Sequence, residues 1–318
     1  MTKSAVLIAG PTASGKSGLA VRLAEAVHGT VINADSMQLY RDLDVVTACP
    51  ADAEMTRAPH RLYRMVDGAE AFSAARWHAA AAEAMAESWE AGRLPVLVGG
   101  TGLYFKTVLE GLSAVPEIPG EIRQQVRAWL EAEGAPALHA RLEREDPKTA
   151  ATLKPNDRQR TARALEVVLA TGRPLLDWHE EATPGVLAGL DRAGRVGKFV
   201  LDLPRDELYA RIDRRFAGMI EAGALEEIQA MAARGLDPEL PVMKALGAPS
   251  LLAHLAGECS LEDAIQDAQM QSRRYAKRQM TWFRNQFADW NWIDAQDSES
   301  SYSRILSKIL EIRLTEQN

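Results

Sequence analysis

Cysteine is scarce in this sequence. Its 318 residues include only Cys49 and Cys259, and neither belongs to a Cys-x-x-Cys pair or a Cys/His cluster. Such clusters are the usual sign of structural zinc or of a disulfide framework, so the sequence predicts neither. We therefore expect a reduced, cytoplasmic setting.

Long apolar runs are also missing. No stretch of about 18 apolar residues, the length that a membrane-spanning helix needs, occurs in the chain. The N-terminus leads directly into the strand-like segment Ala5–Ala9, without the apolar region of a secretion signal. We expect neither a signal peptide nor a membrane span, and hence no membrane partner.

The composition is that of a globular protein. Hydrophobic residues make up 47% of the chain and charged residues 25%, which is enough for one sizeable core and an additional subdomain. The formal net charge is −7 at pH 7, and this total alone argues against nucleic acid as a partner. Net charge averages over the whole surface, however, so a local basic face remains compatible with it.

Strand and helix signals alternate in the first third of the chain. Short continuous apolar runs, typical of strands that are covered on both faces, occur at Ala5–Ala9, 30–33 and 95–98. Helical spacing follows each of them, and the stretch 73–91 is a long alanine-rich helix. This alternation predicts an α/β fold with a parallel, doubly wound sheet.

The strand signals stop near Gly111 and return only at Lys198–Leu203. Amphipathic helical stretches fill the interval, at roughly 120–133, 136–145 and 157–170, and more helices follow the returning strand. We therefore predict an all-helical insertion in the α/β core. The predicted parts are the first part of the core (1–112), the insertion (113–197), and the core completion with C-terminal helices (198–318).

A glycine-rich loop follows the first strand. Residues 10–17 read Gly-Pro-Thr-Ala-Ser-Gly-Lys-Ser and match G-x-x-x-x-G-K-[ST] in full, with a strand before and a helix after. In such a loop the backbone N–H groups form an anion nest, Lys16 adds a positive charge, and Ser17 offers a hydroxyl to Mg²⁺. The motif predicts a P-loop NTPase-like core that binds polyphosphate, including nucleotides such as ATP, but it does not say whether a phosphoryl group is transferred.

Polar residues follow the next two strands. Asp35 leaves the second strand and Thr101 follows the third, between glycines in Gly99-Gly-Thr-Gly102. Because ligands bind at the carboxyl ends of parallel strands, both should lie near the phosphate loop. Asp35 would bind Mg²⁺ or accept a proton, unless it only caps a turn. The glycines suggest a close approach to a ligand, although a plain tight turn explains them equally well.

Two basic segments offset the acidic total. Arg158, Arg160 and Arg163 lie on one helix of the insertion, and a second cluster at 273–284 includes Arg273 and Lys277. A single arginine is most often just part of a solvated face. Two clusters together favour contact with an RNA backbone.

The motifs taken together resemble the tRNA dimethylallyltransferase family, also called tRNA isopentenyltransferases. The resemblance covers nearly the whole chain in the family's order. Eukaryotic members add a zinc-finger extension that is not seen here, so we expect a bacterial-type enzyme. The matching segments are the phosphate loop, Asp35-Ser-Met-Gln38, Gly99-Gly-Thr-Gly-Leu-Tyr104, Asn156-Asp-Arg-Gln-Arg160, Arg205 to Arg215, and Arg273 to Trp282.

The resemblance implies a reaction and its partners. Such enzymes transfer a dimethylallyl group from dimethylallyl diphosphate to N6 of adenosine 37, which is 3′-adjacent to the tRNA anticodon, and release diphosphate. The implied cofactor is Mg²⁺ on Ser17, the implied RNA partner is the anticodon stem-loop, and we expect a monomer. Asp35 would be the base, Thr101 would lie beside the diphosphate and the adenosine, and Arg211 is the candidate for a further phosphate clamp.

The resemblance also assigns residues to the two substrates. The donor-binding residues that it implies are Gly10, Thr12, Ala13, Ser14, Gly15, Lys16 and Ser17. The tRNA-contacting residues that it implies are Asp35, Ser36, Met37, Gln38, Thr101, Arg123, Gln159, Arg160, Thr161, Ala162, Arg163, Lys244, Arg273, Arg274, Lys277 and Arg278.

Three other functions stay open at this stage. A P-loop small-molecule or nucleotide kinase would share the loop and the aspartate, with the insertion as its lid. An adenylate isopentenyltransferase would alkylate a free nucleotide, but it would have little use for the basic C-terminal helix. An RNA-binding regulator with a vestigial nucleotide site is disfavoured, because Lys16, Ser17 and Asp35 are intact.

Overall fold

The computed structural model describes residues 3–314, with side chains to residue 312, and a parallel six-stranded sheet forms its core. The strands are β1 (Ala5–Ala9), β2 (Gly29–Asn33), β3 (His60–Arg61), β4 (Leu94–Gly99), β5 (Val196–Asp202) and β6 (Asn291–Asp294). Their order in the sheet is β3-β2-β4-β1-β5-β6, and every neighbouring pair is parallel. The predicted fold class is confirmed.

Helices connect and cover these strands. They are α1 (Lys16–Val27), α2 (Asp52–Met55), α3 (Ala74–Glu90), α4 (Gly102–Glu110), α5 (Gly120–Glu145), α6 (Pro147–Ala150), α7 (Arg158–Thr171), α8 (Leu175–Glu180), α9 (Ala188–Arg192), α10 (Arg205–Glu221), α11 (Ala224–Ala233), a 3₁₀ turn at Pro241–Lys244, α12 (Ala248–Leu255), α13 (Leu261–Gln286) and α14 (Ser298–Leu314).

The central strands are buried because both faces of the sheet are covered. Every residue of β1, β2 and β4 is buried, as continuous apolar runs predict. Neighbouring residues of β1 point to opposite faces, so Leu7 packs into one apolar cluster while Val6 and Ile8 pack into another. The two clusters hold the carboxyl ends of the strands, and the loops that follow them, in fixed positions.

The chain divides into two compact units. The helical unit is Glu110–Gly185, and the flanking segments form the core unit with the sheet. The helical unit has an apolar cluster of its own, which includes Val126, Leu142 and Leu165. Within its long helix α5, Gly134 has φ 82° and ψ 174°, so two helical stretches meet there as the sequence predicts.

The observed boundary differs from the predicted one at its C-terminal side. We predicted an insertion over 113–197, whereas residues 186–197 belong to the core unit. The reason is burial: Leu187 is fully buried in the same cluster as the strand residue Val200. Strand β5 also begins at Val196, two residues before the apolar run that marks it in the sequence.

Candidate active site

The phosphate loop has the backbone shape that an anion nest requires. Gly15 adopts a left-handed conformation (φ 83°) and Ala13 does so as well (φ 63°), so the chain curls between β1 and α1. This conformation favours glycine at position 15, since a side chain there would be strained. Gly10 is needed for space, because a Cβ atom would lie 2.8 Å from Oγ of Ser14. The predicted loop and its two flanking elements are therefore present.

Lys16 is the buried cation of the loop. Only 9% of its surface is exposed, and its Nζ donates a hydrogen bond to the carbonyl of Pro11 at 3.1 Å. Burial lowers the pKa of Lys16 to about 8, and the nearby Asp35 carboxylate partly offsets this effect. Burying an ammonium group that has few hydrogen-bond partners costs free energy. A phosphate that pairs with this group would therefore be bound strongly.

A cavity of about 310 Å³ opens beside the loop. Its lining includes three of the seven predicted donor-binding residues and six of the ten predicted RNA-contacting residues of the core unit, but not Thr101. Four of its side chains are cationic and only one, Asp35, is anionic, so the cavity is positive although the whole chain is negative. The lining residues are Thr12, Lys16, Ser17, Asp35, Ser36, Met37, Gln38, Val46, Thr47, Ala48, Arg215, Lys244, Leu246, Tyr275 and Arg278.

Asp35 is held at the carboxyl end of β2 by local hydrogen bonds. Its Oδ1 accepts a hydrogen bond from the N–H of Met37 at 3.0 Å, and its own N–H donates to Oδ1 of Asn33 at 2.8 Å. Asn33 is fully buried and also donates to the carbonyls of Asp35 and Leu62. These bonds form a turn, as the simpler interpretation required, but the half-buried carboxylate also faces the cavity. The turn is therefore confirmed, and the role of Asp35 as a proton acceptor or magnesium ligand stays a prediction.

Thr101 lies directly beside the Asp35 segment. Its Oγ1 accepts a hydrogen bond from the N–H of Ser36 at 3.0 Å and donates to the Ser36 hydroxyl at 3.4 Å. Its own N–H donates to the carbonyl of Ala34 at 3.1 Å. The turns after β2 and β4 are therefore joined, as the predicted meeting of strand ends requires.

The glycines around Thr101 serve packing inside the protein. A Cβ atom at Gly99 would lie 2.0 Å from the carbonyl oxygen of Ala34, and one at Gly102 would lie 2.1 Å from the Trp282 ring. The sequence left a close approach to a ligand and a plain tight turn equally open, and the contacts with Ala34 and Trp282 give these two glycines a packing role. Their small size lets β2 and α13 approach this turn.

Arg215, rather than Arg211, is the arginine of α10 that lines the cavity. Burial lowers the pKa of Arg215, and Asp35 acts in the opposite direction. Arg211 instead pairs with Glu207 at 2.5 Å and lines a different cavity of about 460 Å³, together with Ser14 of the loop. The predicted clamp at Arg211 is therefore not among the residues that the structure gathers around Asp35. One helical turn separates the two arginines, and the sequence alone does not distinguish them.

The loop at residues 44–48 forms one wall of the cavity. The carboxylate of Glu227 accepts hydrogen bonds from the N–H groups of residues 44–46, at 2.6 to 2.9 Å. On the other side, the buried Gln38 amide donates to the carbonyls of Thr47 and Ala48 at 3.0 and 2.9 Å. Gln38 therefore supports the wall with its side chain. Sequence reasoning missed Glu227, because its partners lie more than 180 residues away.

The basic residues of α13 have mixed surroundings. Arg274, Lys277 and Arg278 are exposed, and Arg278 lines the cavity. Arg273 is half-buried and bonds to Asp213 at 2.5 Å. Lys244, in the 3₁₀ turn, lines the cavity and also pairs with Glu239 at 2.8 Å.

The helical unit presents most of its predicted contact residues to solvent. Arg123, Gln159, Arg160 and Arg163 are exposed and Ala162 is half-buried. Thr161 is fully buried in this unit, so its side chain does not contribute to the surface. The predicted contact at position 161 therefore does not run through the threonine side chain.

The cavity also suits a magnesium ion. Ser17 and Asp35 both line it and both present oxygen atoms, the ligand type that Mg²⁺ prefers. Mg²⁺ typically takes one or two protein oxygens and completes its shell with water and substrate phosphates, so two such side chains fit. Among residues 3–314 there is no group of three or more His, Cys, Asp or Glu residues that would hold a metal without a substrate.

No helix within this part of the chain is long and apolar enough to cross a membrane.

Fold and site together are those of a P-loop protein with a carboxylate beside its phosphate loop. Comparison with protein families narrows this class: residues 38–286 match the model of the IPP transferase family. The chain belongs to the IPP transferase family, and the predicted family is confirmed.

Curated relatives agree with this assignment. A tRNA dimethylallyltransferase of Rhodopseudomonas palustris strain ATCC BAA-98 is 54% identical over 95% of this chain and 93% of its own length. Another, from strain BisB5, is 57% identical over 93% of this chain and 91% of its own length.

Solved structures are similar as well. The tRNA isopentenylpyrophosphate transferase of Bacillus halodurans is 36% identical, covers both chains completely, and superimposes with a TM-score of 0.69. A eukaryotic dimethylallyltransferase acting on tRNA is 27% identical, with a TM-score of 0.82 over 99% of this chain and 80% of that one.

Proposed function

We propose that this enzyme transfers the dimethylallyl group of dimethylallyl diphosphate to N6 of adenosine 37 in tRNA and releases diphosphate. The observation that carries the proposal is the cavity in which Lys16, Ser17 and Asp35 meet beside the phosphate loop. The names of the curated relatives supply the substrate class.

The loop would hold the diphosphate of the donor. Its backbone N–H groups and Lys16 meet the negative charge that grows on the leaving group as the C1–O bond breaks. Arg215 lines the same cavity and adds a second cation. A bound Mg²⁺, held by Ser17, would neutralise further charge on the diphosphate oxygens.

Asp35 would act as the base. The exocyclic amine of adenine is a poor nucleophile, and it loses a proton when its nitrogen forms the bond to C1 of the donor. The Asp35 carboxylate accepts that proton, while its bond from the Met37 N–H keeps one oxygen fixed. Thr101, hydrogen-bonded to Ser36 of the cavity lining, would help to orient the adenosine and the diphosphate.

The adenine must leave the anticodon-loop stack to reach this cavity. Extruding a base costs a few kcal/mol, so the enzyme needs additional grip on the RNA. The exposed cations of α13, with Lys244 and the basic residues of α7, supply positive charge for backbone phosphates. We further propose that one chain acts as a monomer, since a single chain provides the whole cavity, and that it works in the cytoplasm.

A transfer assay tests this proposal. Purified protein, Mg²⁺, radiolabelled dimethylallyl diphosphate and unmodified tRNA would be combined, with an AMP acceptor and an ATP phosphoryl-transfer reaction in parallel. We expect label in tRNA at the adenosine 3′ of the anticodon. Label in AMP alone would assign the chain to free-nucleotide prenylation, and phosphate loss from ATP without prenyl transfer would point to a kinase.

A further inference from the structure

The amide of Gln279 connects two separate parts of the active site. Its Oε1 accepts a hydrogen bond from the N–H of Thr12 in the phosphate loop, at 3.0 Å. Its Nε2 donates to the carbonyl of Gly100, in the turn after β4, at 2.9 Å. The two partners lie 267 and 179 residues away along the chain, so only the folded structure brings them to this side chain.

Gln279 is buried between protein segments and does not face the cavity. The residue is buried, with 6% of its surface exposed, and it does not line the cavity beside Asp35. A Cβ atom at Gly100 would lie 2.3 Å from Nε2 of Gln279, so glycine at position 100 makes room for this contact. Three residues further along α13, Trp282 packs closely against Gly102. The turn that carries Thr101 therefore packs against α13 at Gly100 and at Gly102.

A glutamine provides this pair of bonds without any change of protonation. An N–H group needs an acceptor and a carbonyl needs a donor, and one side-chain amide offers both. Asparagine is one methylene shorter, and glutamate, when ionised, offers no donor to Gly100. In a buried place each missing bond would leave a backbone group unsatisfied.

We propose that Gln279 is a positioning residue that fixes the distance between the phosphate loop and the Thr101 turn. It would keep the diphosphate in line with the adenosine that Asp35 and Thr101 receive, because small misplacements of reacting groups slow a reaction strongly. This role rests on the proposed function, and it places α13 in the donor site as well as at the RNA surface.

The experiment compares three variants with the wild type. Gln279→Met removes both bonds and keeps the length, Gln279→Glu keeps the acceptor, and Gln271→Met is the control. Gln271 lies on the same helix and bonds to Asp267 one turn away, at 3.4 Å. For each protein we would measure the affinity for inorganic diphosphate with Mg²⁺, the affinity for tRNA, and the single-turnover transfer rate, with thermal melting as a check of folding.

We expect Gln279→Met to weaken diphosphate binding about fivefold and to slow single-turnover transfer about tenfold. Affinity for tRNA should change less than about twofold, and Gln271→Met should behave like the wild type. Gln279→Glu should be impaired at pH 8 and recover as the pH falls towards 6. A protonated carboxyl donates to Gly100 and accepts from Thr12, and burial raises the pKa of such a group.

Two results would overturn the proposal. One is wild-type diphosphate affinity and transfer rate in Gln279→Met, and the other is a defect in Gln279→Glu that does not depend on pH. Inorganic diphosphate reports on the loop without any transfer. A wild-type enzyme that fails to label tRNA would therefore contradict the proposed function, while the diphosphate affinities would still judge Gln279.

Discussion

The cations beside the phosphate loop and those on α7 have different surroundings. Beside the phosphate loop Lys16 is buried, burial lowers the pKa of Lys16 and that of Arg215, and both cations have Asp35 as a nearby counter-charge. On α7, Arg160 and Arg163 are exposed and lie 2.6 and 3.7 Å from the carboxylates of Asp157 and Glu166. The two carboxylates are half-buried, but ion pairs whose arginine is exposed to solvent typically contribute only about 0–1 kcal/mol and are weakened by salt.

This difference separates two tasks. Charges in a dehydrated cavity act strongly over short distances, which suits the stabilisation of a leaving group. Charges in solvent act weakly but attract a polyanion, which suits contact with an RNA backbone. We therefore expect substitutions in the cavity to change turnover and donor affinity, and substitutions on α7 to change tRNA affinity and its salt dependence.

Asp35 gives the largest expected effect. Asp35→Asn keeps the Oδ1 acceptor for the Met37 N–H but removes the proton acceptor. Single-turnover transfer should fall about 100- to 10,000-fold, the usual contribution of a positioned base. Donor affinity should change less than about threefold. Unchanged turnover would show that the carboxylate is not the base.

Lys16 should mainly determine donor affinity. Lys16→Met removes a buried cation next to the diphosphate, and a charge-assisted hydrogen bond is worth about 1.5–3 kcal/mol, so affinity should fall roughly 10- to 100-fold. Calorimetry with dimethylallyl diphosphate would measure it. Lys308→Met, at an exposed lysine of α14 that pairs with Glu311, is the matched control. Equal affinities in the two variants would contradict the assignment of the loop.

The two arginines of α10 provide a comparison within one helix. Arg215→Gln should lower kcat/KM for the donor about tenfold, since it removes a cation from the cavity. Arg211→Gln should lower it less than about threefold, because Arg211 pairs with Glu207 outside that cavity. Steady-state kinetics of both variants would show which arginine contributes more to kcat/KM for the donor. A larger loss at Arg211 would favour the assignment that the sequence suggested.

The pKa of Lys16 predicts a pH dependence of donor binding. Below pH 8 Lys16 is charged and attracts the diphosphate, whereas above pH 8 a growing fraction of the ligand-free enzyme is neutral. Donor affinity should therefore fall by up to about tenfold per pH unit above pH 8. Lys16→Arg keeps its charge and should lose this decline relative to the wild type. Parallel profiles of the two proteins between pH 7 and 9 would contradict the role of Lys16.

The helical unit should give the smallest effects. Replacing Arg160 and Arg163 together by Gln should weaken tRNA binding about fivefold. The slope of log affinity against log salt should become shallower by about one for each phosphate that the variant no longer neutralises. Binding of labelled tRNA at several NaCl concentrations would measure both. If the double variant changed the affinity for the donor and left the affinity for tRNA unchanged, the result would contradict this prediction.

The sequence predicted those parts of the fold that have a continuous or regularly spaced run of apolar residues. The run Ala5–Ala9 is β1 without any shift of its ends, and the alanine-rich stretch 73–91 contains α3 (Ala74–Glu90). Strand β3 was missed, because it has only the two residues His60 and Arg61 and neither is buried.

Site residues were predicted where a local motif carries them, and missed where the contact is tertiary. Lys16 and Asp35 follow strands, so topology alone brings them together. Gln279 and Glu227 act through bonds to backbone groups far away in the chain, which no spacing reveals. Arg215 lies one helical turn beyond Arg211 on nearly the same face of α10, and which of the two reaches the cavity depends on what each turn packs against.

A single experiment separates the two tasks: the single-turnover transfer rate as a function of tRNA concentration, measured for Asp35→Asn and for the Arg160/Arg163 double variant. For Asp35→Asn we predict a strongly reduced maximal rate at an unchanged half-saturating tRNA concentration. For the double variant we predict an unchanged maximal rate at a higher half-saturating concentration. A reduced maximal rate in the double variant, together with a wild-type rate in Asp35→Asn, would contradict the division of chemistry and RNA contact between the cavity and α7.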